Sequence, residues 1–246
     1  MEKKEKAIIM GATSEVGVEL AKLFGANYYD LILINRDINR LDHLKSSLEL
    51  TNSIDVQLVE LDIQSTEEYL KFIEDVGHKV SVVVCLIGYL GDQQLAQNSV
   101  SETDKIIDIN FRSIIPVLNA IANIFEKNKT GTIIGISSVA GERGRQSNYI
   151  YGSAKAAFTT YLSGLRNRLN KFGVHVITVK PGFMRTKMIE DIGTPALLTI
   201  LPQKAASKIY KAYRKKSNVV YVAGIWRYIM LIIRNIPEPI FKKLNL

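Results

Sequence analysis

Short runs of Val, Ile and Leu alternate with helix-spaced apolar residues along most of this chain, and few architectures accept that alternation. The runs are Ala7 to Met10, Leu31 to Ile34, Val56 to Leu61, Val80 to Ile87, Thr132 to Ile136 and Val174 to Val179. Several are apolar at nearly every position, which suits a strand covered on both faces. Between them, sets such as Val16, Leu20, Leu23, Phe24 and Leu41, Leu44, Leu48 keep the spacing of helices that lay one face on a sheet. Strand and helix in turn make βαβ units, so the pattern predicts an α/β fold with a Rossmann-type, doubly wound parallel sheet. No Pro/Gly/Ser linker interrupts it before about residue 182, and 246 residues suit one large domain. We place that domain at residues 1–224 and a basic, apolar tail at 225–246.

Charge separates the two parts. The formal net charge is +8, yet residues 203–246 hold ten basic side chains against Glu238 alone, which leaves the first 202 residues near neutral. The tail interleaves Trp226, Tyr228, Met230, Ile232, Ile233, Ile236, Ile240 and Phe241 with Arg227, Arg234, Lys242 and Lys243. Two readings stay open: a segment lying on an anionic membrane surface, or a C-terminal helix packed on the core or on a sister subunit. Pro237 and Pro239 break any long helix there. The apolar run Ile229 to Ile233 is far below the roughly 20 residues of a transmembrane span. No base-reading module accompanies the basic residues, so nucleic acid is not an expected partner.

Cys85 is the single cysteine and has no internal disulfide partner, while His43, His78 and His175 lack metal-ligand spacing. No metal is expected. The start mixes charges ahead of a run of only four apolar side chains, Ala7 to Met10, too few for a signal-peptide core. The expected location is cytoplasmic.

Directly after the first strand stands Gly11-Ala12-Thr13-Ser14-Glu15-Val16-Gly17, leading into an amphipathic helix. Such a turn brings backbone N–H groups and a helix N-terminus to a pyrophosphate, although a plain strand-to-helix turn looks similar. The second strand ends in Asn35-Arg36, where a carboxylate would favour NAD(H) and a basic side chain suits a 2′-phosphate. NADP(H) is therefore the expected cofactor over NAD(H), with a solvated Arg36 beside Asp37 as the alternative. Asp62, followed by Ile63, ends the third strand, where it either meets an adenine edge or caps the helix starting near Ser65.

Ser137-Ser138 closes the fifth run, and Tyr151-Gly152-Ser153-Ala154-Lys155 follows thirteen residues after Ser138. On a helix Tyr151 and Lys155 project from one face, so the ammonium can favour the phenolate of a group that otherwise titrates near pH 10. The combination of nucleotide turn, strand-end serine and this pair resembles the short-chain dehydrogenase/reductase family over about residues 5–224. The resemblance implies a catalytic set of Asn110, Ser138, Tyr151 and Lys155. Ser138 would hydrogen-bond the substrate oxygen, Tyr151 would give its proton, Lys155 would lower the tyrosine pKa and hold a ribose, and Asn110 would support a water. It also implies cofactor contacts at Gly88, Pro181, Gly182 and Thr186. Two departures stand out: Glu15 replaces the family's middle glycine, so we expect it to face solvent or the helix N-terminus, and Cys85-Leu86-Ile87-Gly88 replaces Asn-Asn-Ala-Gly.

The same turn, together with Gly88-Tyr89-Leu90-Gly91-Asp92-Gln93, the segment Ser137 to Arg145, Ser147-Asn148-Tyr149 and the tail from Trp226 to Pro237, is similar to the decaprenylphosphoryl-2-keto-ribose reductases. That resemblance implies NADPH-dependent reduction of a keto sugar on a polyprenyl phosphate, completing an epimerisation begun by a flavin oxidase partner. With a lipid-linked keto-sugar substrate, the expected placement becomes peripheral, on the inner face of the plasma membrane. Arg143 and Arg145, close after Ser138, are candidate ligands for the substrate phosphodiester, or else solvated loop charges; Gly91 is a further substrate-side candidate. A homodimer or homotetramer could pair through helices near residues 101–126 and 150–171. A soluble carbonyl reductase and a non-catalytic NADPH sensor are the competing functions.

Overall fold

The computed structural model describes residues 4–189, 193 and 195–244. The strands β1 (Lys6–Met10), β2 (Asp30–Asn35), β3 (Val56–Glu60), β4 (Val82–Cys85), β5 (Thr132–Ile136) and β6 (His175–Lys180) each end at the same edge of one sheet. Between them lie the helices α1 (Glu15–Gly25), α2 (Asp42–Asn52), α3 (Thr66–Val76), α4 (Gln93–Ala96), α5 (Val100–Ile107), α6 (Ile114–Asn128) and α7 (Tyr149–Asn170). After β6 come the short paired strands β7 (Phe183–Met184) and β8 (Thr199–Ile200), then α8 (Pro202–Arg214), β9 (Val219–Tyr221), α9 (Ile225–Asn235) and α10 (Glu238–Phe241).

The near-continuous apolar runs follow from burial on two faces. Along β1, Ala7 and Ile9 face the layer that contains α1 and α8, with Leu20, Phe24 and Ile209. Ile8 and Met10 face the other layer, with Tyr69 and Ile73 of α3, Val117 and Ile121 of α6 and Phe158 and Leu162 of α7. The order is β3-β2-β1-β4-β5-β6-β9 with all neighbours parallel. Chain progression reverses between β1 and β4, whose loops therefore diverge and leave a crevice beyond Met10 and Cys85.

Three features differ from the sequence reading. β9 is only three residues long and β7 and β8 only two each, too short to show any periodicity. The helix expected over 101–126 is broken by a π-helical turn at Asp108–Arg112. The tail is not detached from the domain: Trp226 and Met230 of α9 are buried against Val139. Among the described residues, no helix is long and apolar enough to cross a membrane.

Helix α7 presses closely on β5. A Cβ at Gly135 would stand 2.5 Å from a Leu162 methyl carbon, whereas Gly164, on the same helix, has open space around it. Gly135→Ala is expected to lower stability by about 1–3 kcal/mol through overpacking. Gly164→Ala should instead raise it by about 0.5–1 kcal/mol through helix propensity, and denaturant unfolding of both variants checks the contrast.

Candidate active site

The crevice is floored by the turn after β1. Gly11 adopts φ +82°, and a Cβ there would lie 3.3 Å from the backbone at Leu86 and Ile87. Ser14 caps α1: its hydroxyl accepts from the Gly17 N–H at 3.1 Å and donates to the Gly11 carbonyl at 2.9 Å. A Cβ at Gly17 would approach that hydroxyl to 2.8 Å, so the tight turn needs glycine. Val16 is buried beneath it. The hydroxyl of Thr13 donates to Asn35 Oδ1 at 3.0 Å, and Asn35 Nδ2 donates to the Asp37 carbonyl at 2.9 Å. Asn35 thus braces the turn, and Arg36 beside it is exposed.

Glu15 lies in the first turn of α1, where a carboxylate complements the helix dipole. Its Oε1 also accepts from the Lys187 backbone N–H at 3.0 Å, which ties the turn to the segment after β7. Asp62 shapes the turn before α3 by accepting from the Gln64 N–H at 3.0 Å, while Ile63 is buried and Ser65 holds the N-cap position. Thr186 hydrogen-bonds back to the Met184 carbonyl. Pro181 accepts from the Val139 N–H at 3.0 Å, and Gly182 lies directly under Trp226: a Cβ there would overlap the indole.

Ser138, Tyr151, Lys155 and Asn110 meet at this crevice. Ser138 follows β5 and its hydroxyl accepts from the Ala140 N–H at 3.0 Å, while its nearness to the Tyr151 phenol favours the phenolate. Lys155 Nζ stands 5.7 Å from the centre of the Tyr151 ring and donates to the Ile136 carbonyl at 3.2 Å. A Cβ at Gly88 would lie 3.2 Å from both Asn110 Oδ1 and Lys155 Nζ, so Gly88 keeps this corner open. The π turn carries Asn110 inward, fully buried. Its Nδ2 donates to the carbonyls of Tyr89 and Ile106 at 2.6 and 2.8 Å, and its Oδ1 accepts from the Tyr89 N–H at 3.1 Å. Both amide hydrogens are committed, and one Oδ1 lone pair is left for a water.

Electrostatics here depart from the expectation drawn from spacing. Burial pushes the Tyr151 phenol up to about 12, against the opposing influence of Ser138. Burial also pulls the Lys155 ammonium down to about 8. Desolvation, which spacing does not reveal, dominates both groups.

The two arginines take different places from those expected. Arg143 donates to the carbonyls of Ile233, Arg234 and Ile236 at 2.7, 3.2 and 2.6 Å, pairs with Glu238 at 2.9 Å and stacks on Phe241 at 3.6 Å. These bonds hold its guanidinium on the end of α9. Arg145 is half-buried with its Nε lacking a partner, as are Gln93 Nε2 and Asn148 Oδ1. Gln93 Oε1 accepts from the Ile150 N–H at 3.0 Å, so these groups gather at the start of α7, next to Tyr151. Gly91, at φ +69°, packs against Ile106 in the loop before α4.

Several supporting residues carry no sequence signal. Ser137 donates to the Lys155 carbonyl at 3.0 Å. The buried Glu102 accepts from the Tyr89 hydroxyl at 2.8 Å and from the Asp92 N–H at 3.2 Å, which fixes the loop after β4. Glu142 pairs with Lys180 at 2.8 Å and accepts from Tyr221. Each links positions ten or more residues apart.

A reversed parallel sheet with a glycine turn at its switch point and a Ser–Tyr–Lys group beside it defines a Rossmann-type oxidoreductase. The short chain dehydrogenase profile matches residues 5–196, and the chain belongs to that family. It is 27% identical over 240 residues to an uncharacterized oxidoreductase of Mycobacterium tuberculosis, covering 96% of each chain. An uncharacterized oxidoreductase of Streptomyces coelicolor is 29% identical over 244 residues, covering 96% of this chain and 94% of that one. Among solved structures, a short-chain dehydrogenase from Sphingobium yanoikuyae in complex with NADPH superposes with TM-score 0.80 at 22% identity, covering 95% and 97% of the two chains. One from Burkholderia cenocepacia in complex with NADP superposes over both full chains with TM-score 0.82 at 18% identity.

Two outcomes follow. The unfolded chain holds the Lys155 proton up to its ordinary value of 10.5 while the folded chain releases it near 8. Stability from this site therefore rises as pH increases between those values, by about 2–3 kcal/mol at most. Urea unfolding on either side of the window should show this rise in the wild type and lose it in Lys155→Met. Arg143→Ala should leave three carbonyls without their charged donor, and hydrogen exchange over residues 225–241 should accelerate at least ten-fold, about 1.4 kcal/mol.

Proposed function

We propose that this protein is an NADPH-dependent reductase of a keto sugar carried on a polyprenyl phosphate, with Tyr151 as general acid. The observation that carries the reading is the convergence of Ser138, Tyr151, Lys155 and Asn110 at the sheet's switch point, with Lys155 Nζ 5.7 Å from the Tyr151 ring centre. The crevice suits a dinucleotide: Gly11 and Gly17 allow a tight turn in which no side chain covers the backbone, and the α1 N-terminus offers N–H groups to a pyrophosphate. Thr13, Ser14 and Gly17 would hold the phosphates, Arg36 a 2′-phosphate, Asp62 and Ile63 the adenine side, and Pro181, Gly182, Thr186 and Lys155 the nicotinamide end.

NADPH bound there would supply hydride to the carbonyl carbon of the substrate. The electron pair of the C=O π bond moves to its oxygen, which Ser138 holds by a hydrogen bond and Tyr151 protonates. Burial keeps the free phenol protonated at neutral pH, so the proton is available. A phenolate formed beside Lys155 gains from the ammonium, and the free Oδ1 lone pair of Asn110 can hold a water that returns the proton.

The sugar class rests on the likeness of the Gly88 to Gln93 and Ser137 to Arg145 segments to keto-sugar reductases. The ketone would come from a flavin oxidase acting on the corresponding alcohol. The protein would work as a homodimer or homotetramer, paired through α6 and α7, peripherally on the inner face of the plasma membrane.

With a keto-ribosyl polyprenyl phosphate, NADPH should be consumed faster than NADH, and Arg36→Glu should reverse that preference. Tyr151→Phe should lower kcat by about 10²–10⁴. Tight NADPH binding without turnover of any sugar ketone would overturn the reading in favour of a sensor.

A further inference from the structure

Helix α9 is apolar almost all the way round: Arg227, Arg234 and Asn235 are its only strongly polar side chains. One stripe turns inward, where Trp226 and Met230 are buried and Ile229 and Ile233 pack beside them. The other turns outward. Tyr228 and Ile232 are each 67% exposed and Leu231 is 61% exposed. At spacings of three and four residues they form one ridge. Leu197, whose neighbour Leu198 accepts the Trp226 indole N–H at 3.1 Å, is a separate apolar side chain and is 87% exposed.

A clustered apolar ridge on an otherwise polar surface marks an interaction site, and its charge indicates the partner. Arg227 and Arg234 are two helical turns apart and lie on one line beside the ridge. Lys242 and Lys243 follow α10 and are exposed. Glu238 is paired with Arg143, and Glu142, which accepts from Tyr221 near Arg227 and Arg234, is paired with Lys180. Two such rims facing each other in a symmetric self-contact would repel, whereas anionic headgroups would pair with them.

We propose that the outer stripe of α9 is a docking surface for an anionic lipid bilayer. At 11 residues the helix is about 16 Å long, too short to span, so it lies in the plane of the interface. The inner stripe of the same helix covers Val139, next to Ser138, and Trp226 covers Gly182. Docking therefore brings the catalytic crevice to the headgroup level. That the crevice takes a lipid-linked ketone there rests on the proposed function; the docking itself does not.

The test is co-sedimentation of the full chain with vesicles of phosphatidylglycerol and phosphatidylcholine, against phosphatidylcholine alone. Wild type should partition onto the anionic vesicles and be released by high salt. Arg227→Gln/Arg234→Gln should weaken partitioning roughly ten-fold, and Leu231→Glu/Ile232→Glu should abolish it while thermal unfolding and NADPH turnover of a water-soluble ketone stay unchanged. Wild type remaining in the supernatant, or both variants sedimenting like wild type, overturns the proposal. So does a halved mass of the glutamate variant in light scattering with unaltered vesicle binding, which makes the ridge a subunit contact. Vesicle binding without reduction of a lipid-linked ketose leaves the docking surface standing and removes only the substrate reading.

Discussion

Helix α7 lies so close to β5 and the turn after it that glycine or a hydrogen bond stands at several points of contact. Gly135 faces Leu162, Gly141 faces the backbone at Lys155 and Ala156, and Gly152 faces the Ala140 carbonyl. Ser137 bonds the Lys155 carbonyl and Thr159 across the same seam. A shift of one ångström along this seam would part Ser138 from Tyr151. The serine and the tyrosine come from different elements, so their distance is set by packing of the whole helix against the sheet and by no local turn. The rigidity of a doubly covered parallel sheet gives that seam a fixed edge to register against.

The crevice around this group is assembled from loops that would otherwise be independent. Glu15 reaches from the phosphate turn to Lys187, Asn35 reaches from β2 to Thr13, and Asn110 reaches from the π turn to Tyr89. In each case a side chain satisfies a backbone group or a hydroxyl of another loop. Such ties reduce the entropy that a mobile rim would lose on binding. The departure at position 15 from the usual glycine thus carries a positive role, since its carboxylate faces across the crevice mouth to the opposite loop.

Much of the fold was legible in the sequence because its strands are apolar on both faces and its helices on one. Ala7 to Met10 could hardly be anything but an interior strand, and Tyr151 and Lys155 had to share a helix face. What could not be read depends on contacts between distant positions. The three residues of β9 have no period to detect. The arginine at 143 reads as a loop charge until the end of α9 is seen to lie 90 residues away against it. The effect of burial on Tyr151 and Lys155 was equally hidden, because spacing gives the distance between two groups and says nothing of the solvent they lose.

The indole over Gly182 makes the C-terminal segment part of the wall of the crevice. A chain ending at Gly224 would therefore lose more than a surface appendage. It would uncover Val139 and Phe183, leave the Leu198 carbonyl without its indole donor, and free Arg143 from the end of α9. Helix α9 acts as a keystone: it completes an arch whose other stones come from the loops after β5 and β6.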